Sequence, residues 1–120
     1  MKTLKDVTCL IVDDDEMILE ILGTALRRRF KEVYGAKDGV EGFEKYQDLK
    51  PDCVITDIEM PKMNGKKLLE LIKNDNPSEP VIIVTAFEDE VVGIDSANAI
   101  LLKPTTPKEI CSTIEGILGL

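Results

Sequence analysis

The sequence has no histidine, and that one gap removes several kinds of chemistry from a chain of 120 residues. Ser-His and Cys-His nucleophile pairs are excluded, as is a phosphohistidine carried on this chain itself. Without histidine and without a Cys-x-x-Cys pair, a structural zinc site lacks its usual ligands. Positive charge is also in short supply: 15 Lys and Arg stand against 23 Asp and Glu, a formal net charge of −8. A nucleic-acid surface is therefore not expected, because phosphate backbones are gripped mainly by Lys and Arg. No apolar run approaches the roughly 20 residues of a membrane span. The opening residues MKTLKDV lack the apolar segment of a secretion signal, so a cytoplasmic location is expected. The glycines nowhere gather into a phosphate-binding loop or nucleotide fingerprint, so any phosphate donor must come from another molecule. The cysteines, Cys9, Cys53 and Cys111, are odd in number and set among apolar neighbours, which favours reduced packing residues over a disulfide framework.

What is present is regular. The length suits one domain, residues 1–120, with a single core. The short apolar runs Val7–Val12, Cys53–Thr56, Val81–Val84 and Ala99–Leu102 do not alternate with polar residues, as expected of strands buried on both faces, and Glu32–Gly35 is a weaker fifth candidate. Segments of helical length separate them. Asp38 with Glu41 and Thr106 with Glu109 fit helix-start boxes, Pro107 falls at a first helical position, and Asn64 can cap the helix that carries Leu68, Leu69 and Ile72. Ile18, Ile21, Leu22, Ala25 and Leu26 form an apolar stripe in the first helix, and Ile110, Ile114, Ile117 and Leu118 form one in the last. The pattern, strand then helix five times over, predicts an α/β fold: a parallel sheet with right-handed crossovers and helices on both faces.

Such sheets bind ligands beyond the carboxyl ends of their strands. Asp13 and Asp14 follow the first run, Asp57 the third, Thr85 the fourth and Lys103 the fifth. Three carboxylates in one crevice repel unless protonated or neutralised by a cation, and hard oxygen ligands suit Mg2+. Lys103 and the Thr85 hydroxyl can donate to phosphate oxygens. Asp57, alone at its strand end, could attack phosphorus and form an acyl phosphate.

Taken together and in this order, IVDDDE, VITDIEMPKMNG, VIIVTAF and LLKP resemble the receiver domain of two-component response regulators over essentially the whole chain. The resemblance implies a flavodoxin-like, doubly wound five-stranded sheet with strand order 2-1-3-4-5. It implies phosphotransfer to Asp57 from a histidine kinase or histidine phosphotransfer protein, followed by a changed surface that a downstream effector reads. This makes the chain a phosphoacceptor switch that assists its own phosphorylation and dephosphorylation, not an enzyme acting on external substrates. By the same resemblance Asp14 and Asp57 bind Mg2+ directly, Asp13 acts largely through water, and the Glu59 backbone carbonyl is a further ligand. Thr85 is the hydroxyl that turns toward the phosphoryl group, with small Ala86 beside it leaving access. Lys103 is the phosphate-binding lysine, followed by a cis bond to Pro104. Pro61, Met63 and Gly65 match the loop into the third helix.

The chain departs from that pattern in two places. Seventeen residues separate Thr85 from Lys103, about one helical turn fewer than in most receivers, so the fourth helix is expected to be short or irregular. Ile100 stands where many receivers carry an inward-swinging aromatic residue. Both changes lie on the usual dimerisation face, and a monomer or weak dimer is expected. Asp15 and Glu16 read as helix-start charges, and Arg27, Arg28 and Arg29 as basic residues closing a helix. Phe87 could gate the phosphoryl group or cover the core. The Glu59 side chain reads as solvent-facing. An Asp-x-Asp arrangement at Asp13–Asp15 leaves open an aspartyl-phosphate phosphohydrolase with Asp13 as nucleophile, and a receiver-like module that is never phosphorylated is a third reading.

Overall fold

The computed structural model describes residues 2–120. Strands β1 (Thr8–Val12), β2 (Glu32–Ala36), β3 (Cys53–Thr56), β4 (Val81–Thr85) and β5 (Ala99–Leu102) are joined through helices α1 (Glu16–Arg27), α2 (Gly39–Leu49), α3 (Gly65–Asp75) and α4 (Pro107–Leu118). All the strands run parallel in the order β2-β1-β3-β4-β5, the flavodoxin-like topology expected. Every residue of β3 and β4 is buried, which is why these runs carry no polar alternation. The edge strands β2 and β5 are only partly covered, and the sequence signal of β2 is correspondingly weak.

Side chains alternate across the sheet into two helix layers. Cys9, Ile11, Ile55 and Ile82 pack with Leu26 of α1 and Ile110 and Ile114 of α4. Leu10, Val12, Val54 and Ile83 pack with Tyr46 of α2 and Leu68, Leu69 and Ile72 of α3. Each fully buried Leu or Ile among them contributes about 2 kcal/mol of transfer free energy. The cysteines are buried and reduced. Cys9 and Cys53 are register partners on β1 and β3, and that neighbouring thiol together with burial pushes Cys9 well above the usual thiol range.

The helix starts are set by side chains. Asp15 accepts from the amides of Met17 and Ile18, Asp38 from Glu41, Asn64 from Lys67 and Thr106 from Glu109; such caps are worth about 1 kcal/mol each. The reciprocal arm of the box is displaced: Glu41 takes the Lys37 amide and Glu109 the Thr105 hydroxyl, one residue before each cap.

One expectation is met and one needs correction. The fourth crossover carries no α-helix, only a 3-10 turn at Glu88–Val91, in keeping with the short or irregular element expected there; no residue from 86 to 98 is buried to drive a longer helix. The inward face of α1 is Leu19, Leu22, Gly23 and Leu26, whereas Ile21 is 64% exposed and Ile18 half-buried. The helix is rotated so that Ile18 and Ile21 flank the sheet's carboxyl end. Among the described residues no helix is long and apolar enough to cross a membrane.

Candidate functional site

Sheet hydrogen bonding continues one residue past the strand ends and fixes the backbones of the residues there. The Asp13 amide donates to Ala36 O, the Asp57 amide to Val12 O and the Lys103 amide to Thr85 O. As a result Asp13, Asp14 and Asp57 each offer a carboxylate oxygen within 4.8 Å of the others. Lys103 Nζ lies 3.1 Å from Asp57 Oδ2 and 3.4 Å from Asp13 Oδ2. The remaining oxygens are also held: Asp13 Oδ1 accepts the Asp15 amide at 2.9 Å and Asp57 Oδ1 the Ile58 amide at 2.7 Å. The Lys103-Pro104 bond is cis, as the resemblance implied.

One ammonium against three carboxylates leaves the cluster short of positive charge. Burial pushes the Asp13 carboxyl above its usual range, with Asp57 adding to the effect and the Asp15 amide and Lys103 opposing it. Burial works against the charged Lys103 amine, yet its pairs with Asp57 and Asp13 outweigh that and hold it above the ordinary lysine range. All-oxygen donors with uncompensated negative charge fit a hard divalent cation, so Asp13, Asp14 and Asp57 form a candidate metal site.

The loop from β3 to α3 is pressed against this site. A Cβ at Gly65 would stand only 2.0 Å from Asp57 O and 2.9 Å from the Ile58 Cα, so only glycine lets α3 begin there. The Gly65 amide donates to Ile58 O at 2.7 Å, and the Thr56 hydroxyl donates to Asp57 O at 2.8 Å. Glu59 lines a recess with Asp14, Met60 and Asn64. Its side chain is exposed, as read from the sequence, and its carboxyl is pushed up chiefly by the Glu90 carboxyl opposite.

Thr85 is 1% exposed at the end of β4, and exposed Ala86 follows it. Its hydroxyl donates to Glu90 Oε1 at 2.9 Å and accepts the Phe87 amide at 3.3 Å. The Phe87 side chain is 59% exposed, so the reading that it covers the core fails. Glu90 was not singled out in the sequence, because the expected helix gave no reason to fold position 90 back onto Thr85. A groove of about 490 Å³ runs from Asp57 and Lys103 between Ile18, Ile21 and Leu22 of α1 and Pro104.

A doubly wound 2-1-3-4-5 sheet with an aspartate triad and a lysine at its carboxyl end defines a receiver-type α/β protein. The model of the response regulator receiver domain family matches residues 9–115, and the chain belongs to that family. It is 31% identical over 113 residues to the alkaline phosphatase synthesis transcriptional regulatory protein PhoP of Bacillus subtilis, covering 91% of this chain and 47% of that protein. The chain thus spans about half the length of the curated relatives it matches. Among solved structures, a response regulator receiver domain protein from Clostridium thermocellum superposes with a TM-score of 0.87 at 30% identity, covering 94% of each chain. The response regulator TrrA from Thermotoga maritima, solved in complex with Mg2+-BeF, gives a TM-score of 0.85 at 25% identity, covering 92% of this chain and 98% of that one.

Proposed function

We propose that residues 1–120 act as one cytoplasmic receiver domain that accepts a phosphoryl group on Asp57 from a partner's phosphohistidine and changes the surface it offers to an effector. The observation that carries this is the Lys103 ammonium 3.1 Å from Asp57 Oδ2 inside an aspartate triad, which joins a nucleophile, a phosphate-oxygen donor and a cation site at one point. A carboxylate oxygen of Asp57 bonds to phosphorus as the N–P bond of the phosphohistidine breaks, and the imidazole leaves with the electron pair and takes up a proton. Lys103 moves from pairing two carboxylates to holding a phosphoryl oxygen. Asp13, Asp14, Asp57 and the Glu59 carbonyl would hold Mg2+, which when bound neutralises the phosphoryl oxygens. Thr85, with small Ala86 beside it, donates to another phosphoryl oxygen once the group is in place.

The partner is a histidine kinase or histidine phosphotransfer protein, because the chain has neither histidine nor nucleotide loop of its own. Exposed Ile21 lines the groove that ends at Asp57, and so offers such a partner an apolar footing beside the nucleophile. The test is intact-mass measurement after incubation with acetyl phosphate and Mg2+. Wild type is expected to gain one phosphoryl group and Asp57→Asn none. A folded, Mg2+-binding wild type that gains none would overturn the reading, and an adduct that survives Asp57→Asn but not Asp13→Asn would favour a phosphohydrolase.

A further inference from the structure

The Thr85 hydroxyl has one proton, and in this structure it is already committed. It goes to Glu90 Oε1 at 2.9 Å, while the same oxygen accepts the Phe87 amide at 3.3 Å. Both partners belong to the stretch after β4. That stretch is held lightly in its first half: no residue from 86 to 98 is fully buried, its only regular element is the turn Glu88–Val91, and Val92 is 78% exposed, whereas Val91, Ile94 and Ala97 rest partly buried on the core and Asn98 is bonded to Val81 and Lys73. Within positions 88–97, the hydrogen bond from Thr85 to Glu90 is the one that ties a side chain to the sheet.

We propose that Glu90 is a positioning residue for the phosphoacceptor site: it ties residues 86–98 to the sheet through Thr85, and a phosphoryl group on Asp57 competes with it for the single hydroxyl proton, so that phosphorylation frees the segment. The competition rests on the phosphoacceptor reading above. A donor cannot serve two acceptors fully, and an anionic phosphoryl oxygen is at least as strong an acceptor as a carboxylate. Charge acts in the same direction. Glu90 faces Glu59, two residues beyond Asp57, so negative charge added at Asp57 repels the carboxylate already holding Thr85. Residues 86–89 are all exposed, and beyond them only the partly buried Val91, Ile94 and Ala97 rest on the core, so the start of the segment has little to resist that push. The shortened crossover is then a working part, because a full helix would pin these residues through its own backbone bonds and apolar face.

The test is amide hydrogen exchange over residues 87–97 in the whole chain, with and without beryllofluoride plus Mg2+ as the phosphoryl mimic. In wild type, beryllofluoride is expected to speed exchange in this segment. Glu90→Ala is expected to raise it about tenfold without the mimic. Glu90→Gln, whose amide oxygen still accepts, stays near wild type. Thr85→Val matches Glu90→Ala, and the double variant adds nothing further, as for two halves of one contact. Unchanged exchange in Glu90→Ala, equal effects of Gln and Ala, or additive effects of the two substitutions would each overturn the role of Glu90. If wild type fails to bind beryllofluoride at all, the phosphoacceptor reading falls and the competition with it. Normal mimic binding with a silent Glu90→Ala removes only the role of Glu90.

Discussion

Lys103 Nζ bridges Asp57 Oδ2 at 3.1 Å and Asp13 Oδ2 at 3.4 Å, so a single ammonium spans the ends of β1 and β3 from the end of β5. There it neutralises part of the charge that a metal would otherwise meet. Replacing it with a neutral chain of similar shape separates its two roles. Lys103→Met should tighten Mg2+ binding several-fold, since a cation close to the site is removed, yet slow phosphoryl uptake from acetyl phosphate at least about tenfold. Mg2+ titration and intact-mass time courses measure the two effects, and unchanged uptake would show that Lys103 does not assist the transfer.

Asp13 stabilises the metal-free fold poorly. Its carboxyl is raised by burial, with Asp57 adding and the Asp15 amide and Lys103 opposing, so the folded state binds this proton more readily than the unfolded chain does. The associated stability is present below the ordinary carboxylate pKa and declines as pH rises through the raised value. Asp13→Asn should therefore make the metal-free protein more stable at pH 7, with no gain near pH 3, and lose most of the stabilisation by Mg2+. Urea unfolding with Mg2+ or EDTA at both pH values checks each part. A destabilised metal-free variant at pH 7 would contradict the assignment.

Gly65 sets the distance between α3 and the backbone at Asp57 and Ile58. A methyl group there meets the Asp57 carbonyl, which is backbone and cannot rotate away, and the Ile58 Cα besides. Gly65→Ala should cost about 2–3 kcal/mol and, in the fraction that folds, lower phosphoryl uptake by shifting Asp57. Gly116→Ala is the control, since a Cβ there meets nothing within 4 Å. Equal unfolding midpoints for the two variants would refute the close approach.

The sheet was readable because its interior strands are continuous apolar runs, and the acidic triad with Lys103 because each follows directly from a strand end, where topology alone brings residues together. Two things were not. The rotation of α1 was hidden because Ile18 and Ile21 are as apolar as Leu19 and Leu22, so periodicity could not choose between neighbouring stripes. Glu90 was hidden because its partner is set by the conformation of a segment with no buried residue, and sequence pattern carries information mainly where burial imposes it.

The rotation of α1 leads to a prediction of its own. Ile21 is 64% exposed and lines the groove leading to Asp57, although burying it would have been favourable by about 2 kcal/mol. Ile21→Lys should leave stability within about 0.5 kcal/mol of wild type. It should also leave acetyl phosphate labelling intact, while slowing transfer from a phosphorylated histidine partner about tenfold or more. Equal slowing with both donors would place the effect in the chemistry and not in partner contact.

At the opposite end of the sheet Glu79 is 7% exposed, and its Oε2 has no hydrogen-bond partner among the described residues. It lines a cavity of about 610 Å³ with Tyr46, Asp52 and Asp75. Lys73 Nζ donates to the Glu79 backbone carbonyl at 2.6 Å and to Asn98 Oδ1 at 2.7 Å, and among the described residues no ion pair is made to the Glu79 carboxylate. Burial therefore pushes the Glu79 carboxyl up to about 7, Asp52 adds to this, and Lys73 only partly opposes it. A carboxyl raised on folding contributes stability that is complete below its unfolded pKa and lost as pH rises through its folded value, here between about 4.5 and about 7. Wild type should lose on the order of 2 kcal/mol across that window from this group, with water in the cavity moderating the full shift. Glu79→Gln keeps the shape but cannot ionise, so its stability should match wild type near pH 5 and exceed it by about 1–2 kcal/mol at pH 8. Urea midpoints measured from pH 5 to pH 8 decide the matter: converging curves at low pH support a buried, unpaired carboxyl, and parallel curves would mean that Glu79 ionises as freely in the fold as in the unfolded chain.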